Sequence, residues 1–185
     1  MRHSDDEIWI FAYGSLMWRP DFEFVEARAA RLSGLHRSLC IYSHLYRGMP
    51  ACPGLVLGLD FGGACRGVAF RIAAAQADDV LAAVDAREVV YHVYKRRLVP
   101  LTLVDGPTPG RRVHAYTYVA DRSGPQYTGR LTESEKVDLV LQGNGTTGSS
   151  LEYLAQTVEH LDELGVPDRR LHDLLKAVRL NDQAS

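Results

Sequence analysis

An apolar run that stops at a glycine-serine turn constrains this chain more than any other feature. Residues 8–12 read Ile-Trp-Ile-Phe-Ala and are followed at once by Tyr13, Gly14, Ser15 and Leu16. A short run of β-branched and aromatic residues predicts a buried strand. The glycine then predicts a tight turn, with positive φ allowed, whose backbone N–H groups face outward. Such a turn can hold an anion, although Gly-Ser pairs are also common at plain strand-to-loop junctions.

The composition predicts one compact domain without a charged surface for a polyanionic partner. The chain has 185 residues, 46% of them hydrophobic, which suffices for one core. Its formal net charge of -2 argues against binding to nucleic acid or to an anionic membrane, because both require a clustered positive field. We therefore expect a single domain over residues 1–185, with a short polar N-terminus at residues 1–7 and a C-terminal tail at residues 180–185.

Cysteine and histidine usage indicates neither a disulfide framework nor a metal site. The chain has 3 cysteines, with no C-x-x-C pair, and no two of its 7 histidines have metal-ligand spacing on a predicted helix face. The first residues are charged and lack the apolar segment of a secretory signal. No apolar run is long enough to span a bilayer. We expect a soluble cytoplasmic protein without a metal or cofactor, and its oligomeric state stays open.

The predicted elements follow the order of an α+β domain, with strands first, one helix between strands, and helices last. Apolar runs predict strands over residues 38–42, 55–61, 65–72, 94–104 and 112–120. Gly62-Gly63-Ala64 is interpreted as a hairpin connection. Apolar residues with the spacing i, i+3, i+4 and i+7 predict a helix from about Ala74 to Arg87, which puts Glu88 at or just past its C-terminus.

Capping signals predict further helices in the last third of the chain. Two pairs have the S/T-x-x-E spacing of a capping box: Thr132 with Glu135, and Ser149 with Glu152. Gly165 and Pro167 are expected to end the second of these helices. Asp168 then caps a last helix that we expect to run through Val178.

The glycine-serine turn and its surroundings resemble the anion-binding loop of the γ-glutamylcyclotransferase families. The turn with Trp18 is similar to the Tyr-Gly-Ser-Leu-x-Trp motif of the ChaC branch. Further segments match the same branch in the same order along the chain: residues 43–48, 53–56, 66–70, 87–88, 126–129 and 148–154. The resemblance covers about residues 8–176, and agreement in order is more specific than any one motif.

This resemblance implies a small mixed β-barrel flanked by helices, and the activity of a glutathione-specific γ-glutamylcyclotransferase. In that reaction the α-amino group of the γ-glutamyl unit attacks the γ-carbonyl of the same unit, which closes 5-oxoproline and expels Cys-Gly. Both reacting groups belong to one molecule, so the resemblance implies a small-molecule substrate and no metal or cofactor.

Glu88 is the candidate catalytic residue. The resemblance implies that the glutamate of the Arg87-Glu88 pair is the general acid/base, since residues 84–88 match in spacing and context. A glutamate at a helix C-terminus is opposed by the helix dipole, so another advantage is expected to keep it there. The alternative is an ordinary solvated glutamate.

Three parts of the sequence are candidates for substrate binding. The turn residues 13–16 are expected to offer backbone N–H donors to the anionic end of the substrate or to a developing oxyanion. Arg47 is a candidate carboxylate clamp, or else a surface arginine. Tyr127 is expected to hydrogen-bond the γ-glutamyl group, or else to be a packed aromatic. Ser15 is not expected to be a nucleophile, because the G-x-S-x-G pattern is absent around it.

Two other functions stay open at this point. Glu88 would serve equally in a cyclotransferase for other γ-glutamyl amines or amino acids, with a different far rim of the pocket. Met49 and the pair Ala51-Cys52 depart from the commoner residues of the branch, which puts selectivity in doubt more than chemistry. A non-catalytic γ-glutamyl-binding regulatory protein would keep the turn without turnover, but it would have no need of Glu88.

Overall fold

The computed structural model describes residues 8–88 and 93–183. The strands are β1 (Ile8–Ala12), β2 (Glu26–Ser43), β3 (Gly54–Ile72), β4 (Tyr94–Leu103), β5 (Arg112–Ala120), β6 (Asn144–Gly145) and β7 (Gly148–Ser149). The α-helices are α1 (Ala77–Glu88), α2 (Glu133–Gln142), α3 (Ser150–Glu163) and α4 (Arg169–Asp182). The polar N-terminus expected at residues 1–7 lies outside the described residues.

The first five strands form a closed barrel in the order β1-β3-β2-β4-β5. β1 pairs antiparallel with β3 and parallel with β5, whereas β4 pairs antiparallel with both β2 and β5. The α+β class and the small mixed barrel are therefore confirmed. Closure pairs every wall strand on both sides, which removes the free edges of an open sheet.

The chain divides into two compact units. The first contains the chain through Arg37 and the segment Leu59–Asp121, and so includes most of the barrel together with α1. The second contains Ser38–Gly58 and the chain from Arg122 onward, where α2, α3 and α4 pack against one another. The expectation of a single domain stays a prediction.

β2 is 18 residues long, much longer than the strand predicted at residues 38–42. Two arginines in it are buried: Arg28 and Arg37 are only 7% and 3% exposed. These charges interrupt the apolar alternation from which a strand is recognised. At Gly34, which has a φ of 87°, the alternation of buried side chains moves by one residue. Even-numbered positions are buried before it and odd-numbered positions directly after it, so the two halves of the strand do not form one regular pattern.

β3 runs without interruption, so the hairpin predicted at residues 62–64 is wrong. Gly62 and Gly63 do have positive φ angles, of 98° and 67°, but they bend one continuous strand. The ring Nδ1 of His36, on β2, lies 3.0 Å from the carbonyl oxygen of Gly62 at this bend.

The helices begin where their capping signals predict. A turn of 3-10 helix at Ala74–Gln76 leads into α1, and Glu88 is the last described residue of that helix. Both predicted capping boxes are formed. Asp168 caps α4, which continues to Asp182, four residues beyond the expected end at Val178.

Candidate functional site

The segment after β1, residues 13–17, is called the β1 turn. Ser15–Met17 forms a single turn of 3-10 helix with Gly14 at its N-cap, and the N–H of Met17 donates to the Gly14 carbonyl at 2.8 Å. Gly14 has a φ of -135°, so the positive φ allowed for it is not used. The first N–H groups of a helix have no acceptor within it, which applies here to Ser15 and Leu16.

A buried arginine sets the orientation of the β1 turn. Arg37 donates from Nε to the carbonyl oxygen of Tyr13 at 2.5 Å and from Nη2 to that of Arg66 at 2.7 Å. The C=O and N–H of a trans peptide point in opposite directions. Because the Tyr13 carbonyl faces Arg37, the N–H of Gly14 points away from it.

The carboxyl group of Glu88 is largely removed from solvent, with 18% of its side chain exposed. Burial raises the pKa of Glu88, and the neighbouring Arg87 opposes that shift less strongly. A carboxyl whose pKa lies above its ordinary value is better suited to accept and return a proton near neutral pH. Glu88 lies in the last described turn of α1.

Arg87 connects Glu88 to the β1 turn. Its Nη2 donates to the Ser15 hydroxyl at 3.0 Å, and its Nε lies 3.4 Å from Glu88 Oε1. Its Nη1 donates to the Arg19 carbonyl at 3.0 Å and to Asp21 Oδ2 at 2.8 Å. Ser15 and Glu88, two of the predicted site residues, are therefore joined through one guanidinium.

A second polar group holds α1 on the barrel wall. The Tyr118 hydroxyl donates to Asp85 Oδ1 at 2.7 Å, and Arg96 Nη1 donates to Asp85 Oδ2 at 2.6 Å. Burial and the hydrogen bond to Asp85 both raise the pKa of Tyr118. The phenol therefore remains protonated and able to donate at physiological pH.

Arg47 and Tyr127 lie in the second compact unit. Arg47 donates from Nη1 to the Ser149 carbonyl at 3.3 Å, and its guanidinium lies 5.4 Å from the ring centre of Tyr153. Tyr127 forms a β-bridge with Ile41. The structure thus gives both residues protein partners, and their contacts with substrate stay predictions.

The segment that carries Arg47, residues 44–49, is called the arginine loop. Thr146 and Thr147, between β6 and β7, each donate a backbone N–H and a hydroxyl to its carbonyl oxygens, those of Leu45 and Tyr46 respectively. Four glycines around the loop lie where a Cβ would collide with backbone atoms: Gly48, Gly54, Gly143 and Gly145. The path of this loop therefore depends on close backbone approach.

Met49 and Cys52, two positions expected from the sequence to differ from the commoner residues of the ChaC branch, lie at the end of the arginine loop and just beyond it. Met49 and Cys52 exchange two backbone hydrogen bonds of 3.0 Å, and 55% of Met49 is exposed. Cys52 is exposed as well. Side chains at these two positions face solvent, so substitution here does not disturb a core.

Sequence reasoning did not single out Arg37, Asp85, Arg87 or Tyr118 as site residues. The sequence carries a signal for two of them: Arg37 stands between Leu35 and Leu39 in the alternation of β2, and Asp85 lies one helical turn before Glu88. Over residues 8–88 and 93–183, no three His, Cys, Asp or Glu side chains group to hold a metal. Within the same ranges, no helix is long and apolar enough to cross a membrane.

Comparisons with known proteins agree with one another. A family model described as ChaC-like protein matches residues 8–181. The chain is 33% identical over 178 residues to the Escherichia coli (strain K12) protein named glutathione-specific gamma-glutamylcyclotransferase, covering 96% of this chain and 75% of that relative. It is 31% identical over 175 residues to the Homo sapiens protein named glutathione-specific gamma-glutamylcyclotransferase 1, covering 92% and 78%. A crystal structure of a yeast gamma-glutamyl cyclotransferase specific to glutathione matches with a TM-score of 0.82 at 21% identity, over 95% of this chain and 96% of that one, which shows a common fold.

Proposed function

Because this chain belongs to the ChaC-like protein family, we propose that it is a glutathione-specific γ-glutamylcyclotransferase, a lyase that converts glutathione to 5-oxoproline and Cys-Gly. The names of its relatives support glutathione as the substrate. The structural observation that carries the proposal is the buried carboxyl of Glu88, linked through Arg87 to the β1 turn.

Glu88 is proposed as the general acid/base. Its carboxylate takes a proton from the α-ammonium of the substrate, and the freed amine attacks the γ-carbonyl carbon. Glu88 gives this proton to the cysteine nitrogen, and the bond between that nitrogen and the γ-carbon breaks. The ring nitrogen still carries two hydrogens after the attack, so it gives one of them to Glu88, which passes it to the released amine. Cys-Gly therefore leaves as its ammonium form, and the carboxylate ends in its starting state. A positioned group of this kind contributes about two to four orders of magnitude in rate.

The β1 turn is proposed to bind negative charge. The Gly14 N–H is directed away from Arg37, and the N–H groups of Ser15 and Leu16 have no acceptor within their helical turn. Preorganised backbone donors of this type stabilise an oxyanion or a carboxylate without reorganising during the reaction. Tyr13 is buried, only 9% exposed, so its proposed contribution is also through the backbone.

Arg47 and Tyr127 are proposed to bind other parts of glutathione. A planar guanidinium suits a carboxylate, and glutathione carries one at its glycine end. The loop contacts of Thr146 and Thr147 support a defined position for the backbone of Arg47. The Tyr127 hydroxyl is proposed as a hydrogen-bonding partner of the γ-glutamyl group.

The reducing cytoplasm is proposed as the location. Cys40, Cys52 and Cys65 are free thiols in the structure, a state typical of compartments where glutathione keeps cysteines reduced. The proposed binding partner is a small molecule, the substrate glutathione, as the names of the relatives suggest.

The direct test is mass-spectrometric detection of 5-oxoproline and Cys-Gly after incubation of the purified protein with glutathione. Equal amounts of the two products are expected, and boiled protein is the control. Release of free glutamate as the primary product would instead indicate hydrolysis by water.

A cyclotransferase for other γ-glutamyl amines or amino acids is the second candidate. The exposure of Met49 and Cys52 supports it, because these are positions at which the sequence is expected to differ from the commoner residues of the ChaC branch. Comparing kcat/KM for glutathione and for γ-glutamyl-alanine separates the two substrates.

A further inference from the structure

Arg87 makes more polar contacts in the candidate site than its exposed position would suggest. About a third of its side chain, 34%, is accessible, yet all three guanidinium nitrogens have partners. One nitrogen reaches the Ser15 hydroxyl, another reaches the carbonyl of Arg19 and the carboxylate of Asp21, and Nε faces Glu88. A planar fork can serve several acceptors in fixed directions, which an ammonium group cannot.

We propose that Arg87 is a positioning residue that couples the β1 turn to Glu88, so that the turn's N–H groups and the catalytic carboxylate keep the spacing that ring closure requires. This inference rests on the function proposed above. Arg87 does not contact the reacting atoms in this account. It acts through Ser15 on one side and Glu88 on the other.

Asp21 supplies a second observation in favour of this role. It has a φ of 54°, the only positive φ among the non-glycine residues in the described parts of the chain. An aspartate held in this region costs backbone energy and persists only where surrounding contacts maintain it. Its carboxylate contact with Arg87, at 2.8 Å, is such a contact. The loop beyond the turn is thus held in an unfavourable conformation against the same guanidinium.

The charge of Arg87 and its geometry have separable effects. The charge favours the ionised form of Glu88 and lowers its pKa against the effect of burial. The planar guanidinium contacts both the Ser15 hydroxyl and the Glu88 carboxylate, and so fixes their relative position. Arg87→Gln removes both effects, whereas Arg87→Lys keeps the charge and loses the fork.

Arg71 provides a matched control. It is an arginine of the same compact unit, its side chain is 30% exposed, and it pairs with Glu26 at 3.0 Å. Arg71→Gln therefore removes a comparable ion pair that has no contact with Ser15 or Glu88 among those described. Any general effect of losing a half-exposed arginine should appear equally in this variant.

The experiment combines ¹³C NMR titration of the glutamate carboxyls with kinetics on glutathione. The signal of Glu88 is assigned by its absence in Glu88→Gln. In Arg87→Gln we expect a higher Glu88 pKa than in the wild type and a kcat/KM lower by up to about a hundredfold, the loss that a misplacement of about 1 Å can cause. In Arg87→Lys we expect a nearly normal Glu88 pKa with kcat/KM still reduced. Arg71→Gln should change neither.

Two results would overturn the proposal. One is an Arg87→Gln protein with an unchanged Glu88 pKa and full kcat/KM. The other is an equal loss of kcat/KM in Arg87→Gln and Arg71→Gln. The titration does not depend on turnover, so it tests the contact of Arg87 with Glu88 even if the wild-type protein releases no 5-oxoproline, a result that would refute the proposed function instead.

Discussion

The hydroxyl of Tyr118 donates a hydrogen bond of 2.7 Å to the carboxylate of Asp85. Tyr118 is on β5 and only 1% exposed, whereas Asp85 is on α1, three residues before Glu88. Residues three apart lie on the same face of a helix. The barrel wall therefore determines the position of the helix turn that carries the proposed acid/base.

Tyr118→Phe is expected to reduce activity without unfolding the protein. The change removes one hydrogen bond to Asp85, which keeps its bond to Arg96, so about 1 kcal/mol of stability should be lost. We expect kcat/KM on glutathione to fall several-fold, because the end of α1 is held less firmly. Tyr116→Phe on the same strand is the control, since Arg96 lies over its ring, 5.3 Å from the centre, rather than against its hydroxyl. Equal kinetics for the two variants would contradict this account.

Glu88→Gln is expected to lower kcat by about a hundredfold or more, the usual contribution of a general base. The amide has the same shape but cannot accept the proton of the α-ammonium. Substrate affinity should largely remain, which can be measured by calorimetric titration with glutathione. A normally melting variant that keeps more than about a tenth of the wild-type rate would exclude Glu88 as the base.

The difference in Tm between Glu88→Gln and the wild type is expected to depend on pH. Burial raises the pKa of Glu88 in the folded protein above its value in the unfolded chain. The resulting contribution to stability is present below the unfolded pKa and is lost as the pH rises through the folded pKa. The Tm of Glu88→Gln should therefore gain relative to that of the wild type as the pH rises above about 4, the ordinary pKa of a glutamate in an unfolded chain. A Tm difference that stays constant, or that moves the opposite way, would show that the carboxyl is not disfavoured by burial.

Gly14→Val is expected to abolish activity, because a β-branched side chain would obstruct the approach of substrate to the N–H groups of the β1 turn. Ser15→Ala should cost less if the turn acts through its backbone, although it removes the hydroxyl that Arg87 contacts. Rates of both variants on glutathione, with circular dichroism as a check on folding, test this order. A folded Ser15→Ala protein as inactive as Glu88→Gln would assign a chemical role to the hydroxyl.

Ring closure requires the free α-amino group of the substrate but not its thiol. N-acetylation of the glutamyl nitrogen should eliminate turnover, since it removes the basicity of the nucleophile. Replacing the thiol by a methyl group, as in γ-glutamyl-aminobutyryl-glycine, should only weaken turnover, because one side-chain contact far from the reacting carbon is worth about 1 to 3 kcal/mol. Cleavage of the N-acetylated compound at a near-normal rate would be incompatible with a cyclotransferase.

Local signals predicted the helices of this chain well. Each capping box joins residues only three apart, and the placement of Glu88 follows from apolar spacing within one helix. The strands depend more on distant partners. Arg28 is buried with Asp105, 77 residues away, which accepts its Nε at 3.0 Å, and no pattern around residue 28 reveals that partner.

The sequence pointed to the motif residues of the candidate site, but it did not point to the arginines that contact them, Arg37 and Arg87. Glu88 and the β1 turn belong to segments that resemble a known family. The bond from Arg37 to Tyr13 spans 24 residues, and the bond from Arg87 to Ser15 spans 72. Such pairings become visible only when the barrel closes, because they depend on which strands become neighbours.

The glycines around the arginine loop bear on how this protein can change over generations. At Gly48, Gly54, Gly143 and Gly145, any replacement adds at least a Cβ where backbone atoms already lie. Each single substitution at these positions therefore causes a steric clash with backbone, and we expect the four glycines to be retained together with the backbone course of the loop. The outward side chains of Met49 and Cys52 carry no such restriction. Sequence divergence should therefore accumulate in exposed side chains such as Met49 and Cys52, while the backbone of the loop stays the same.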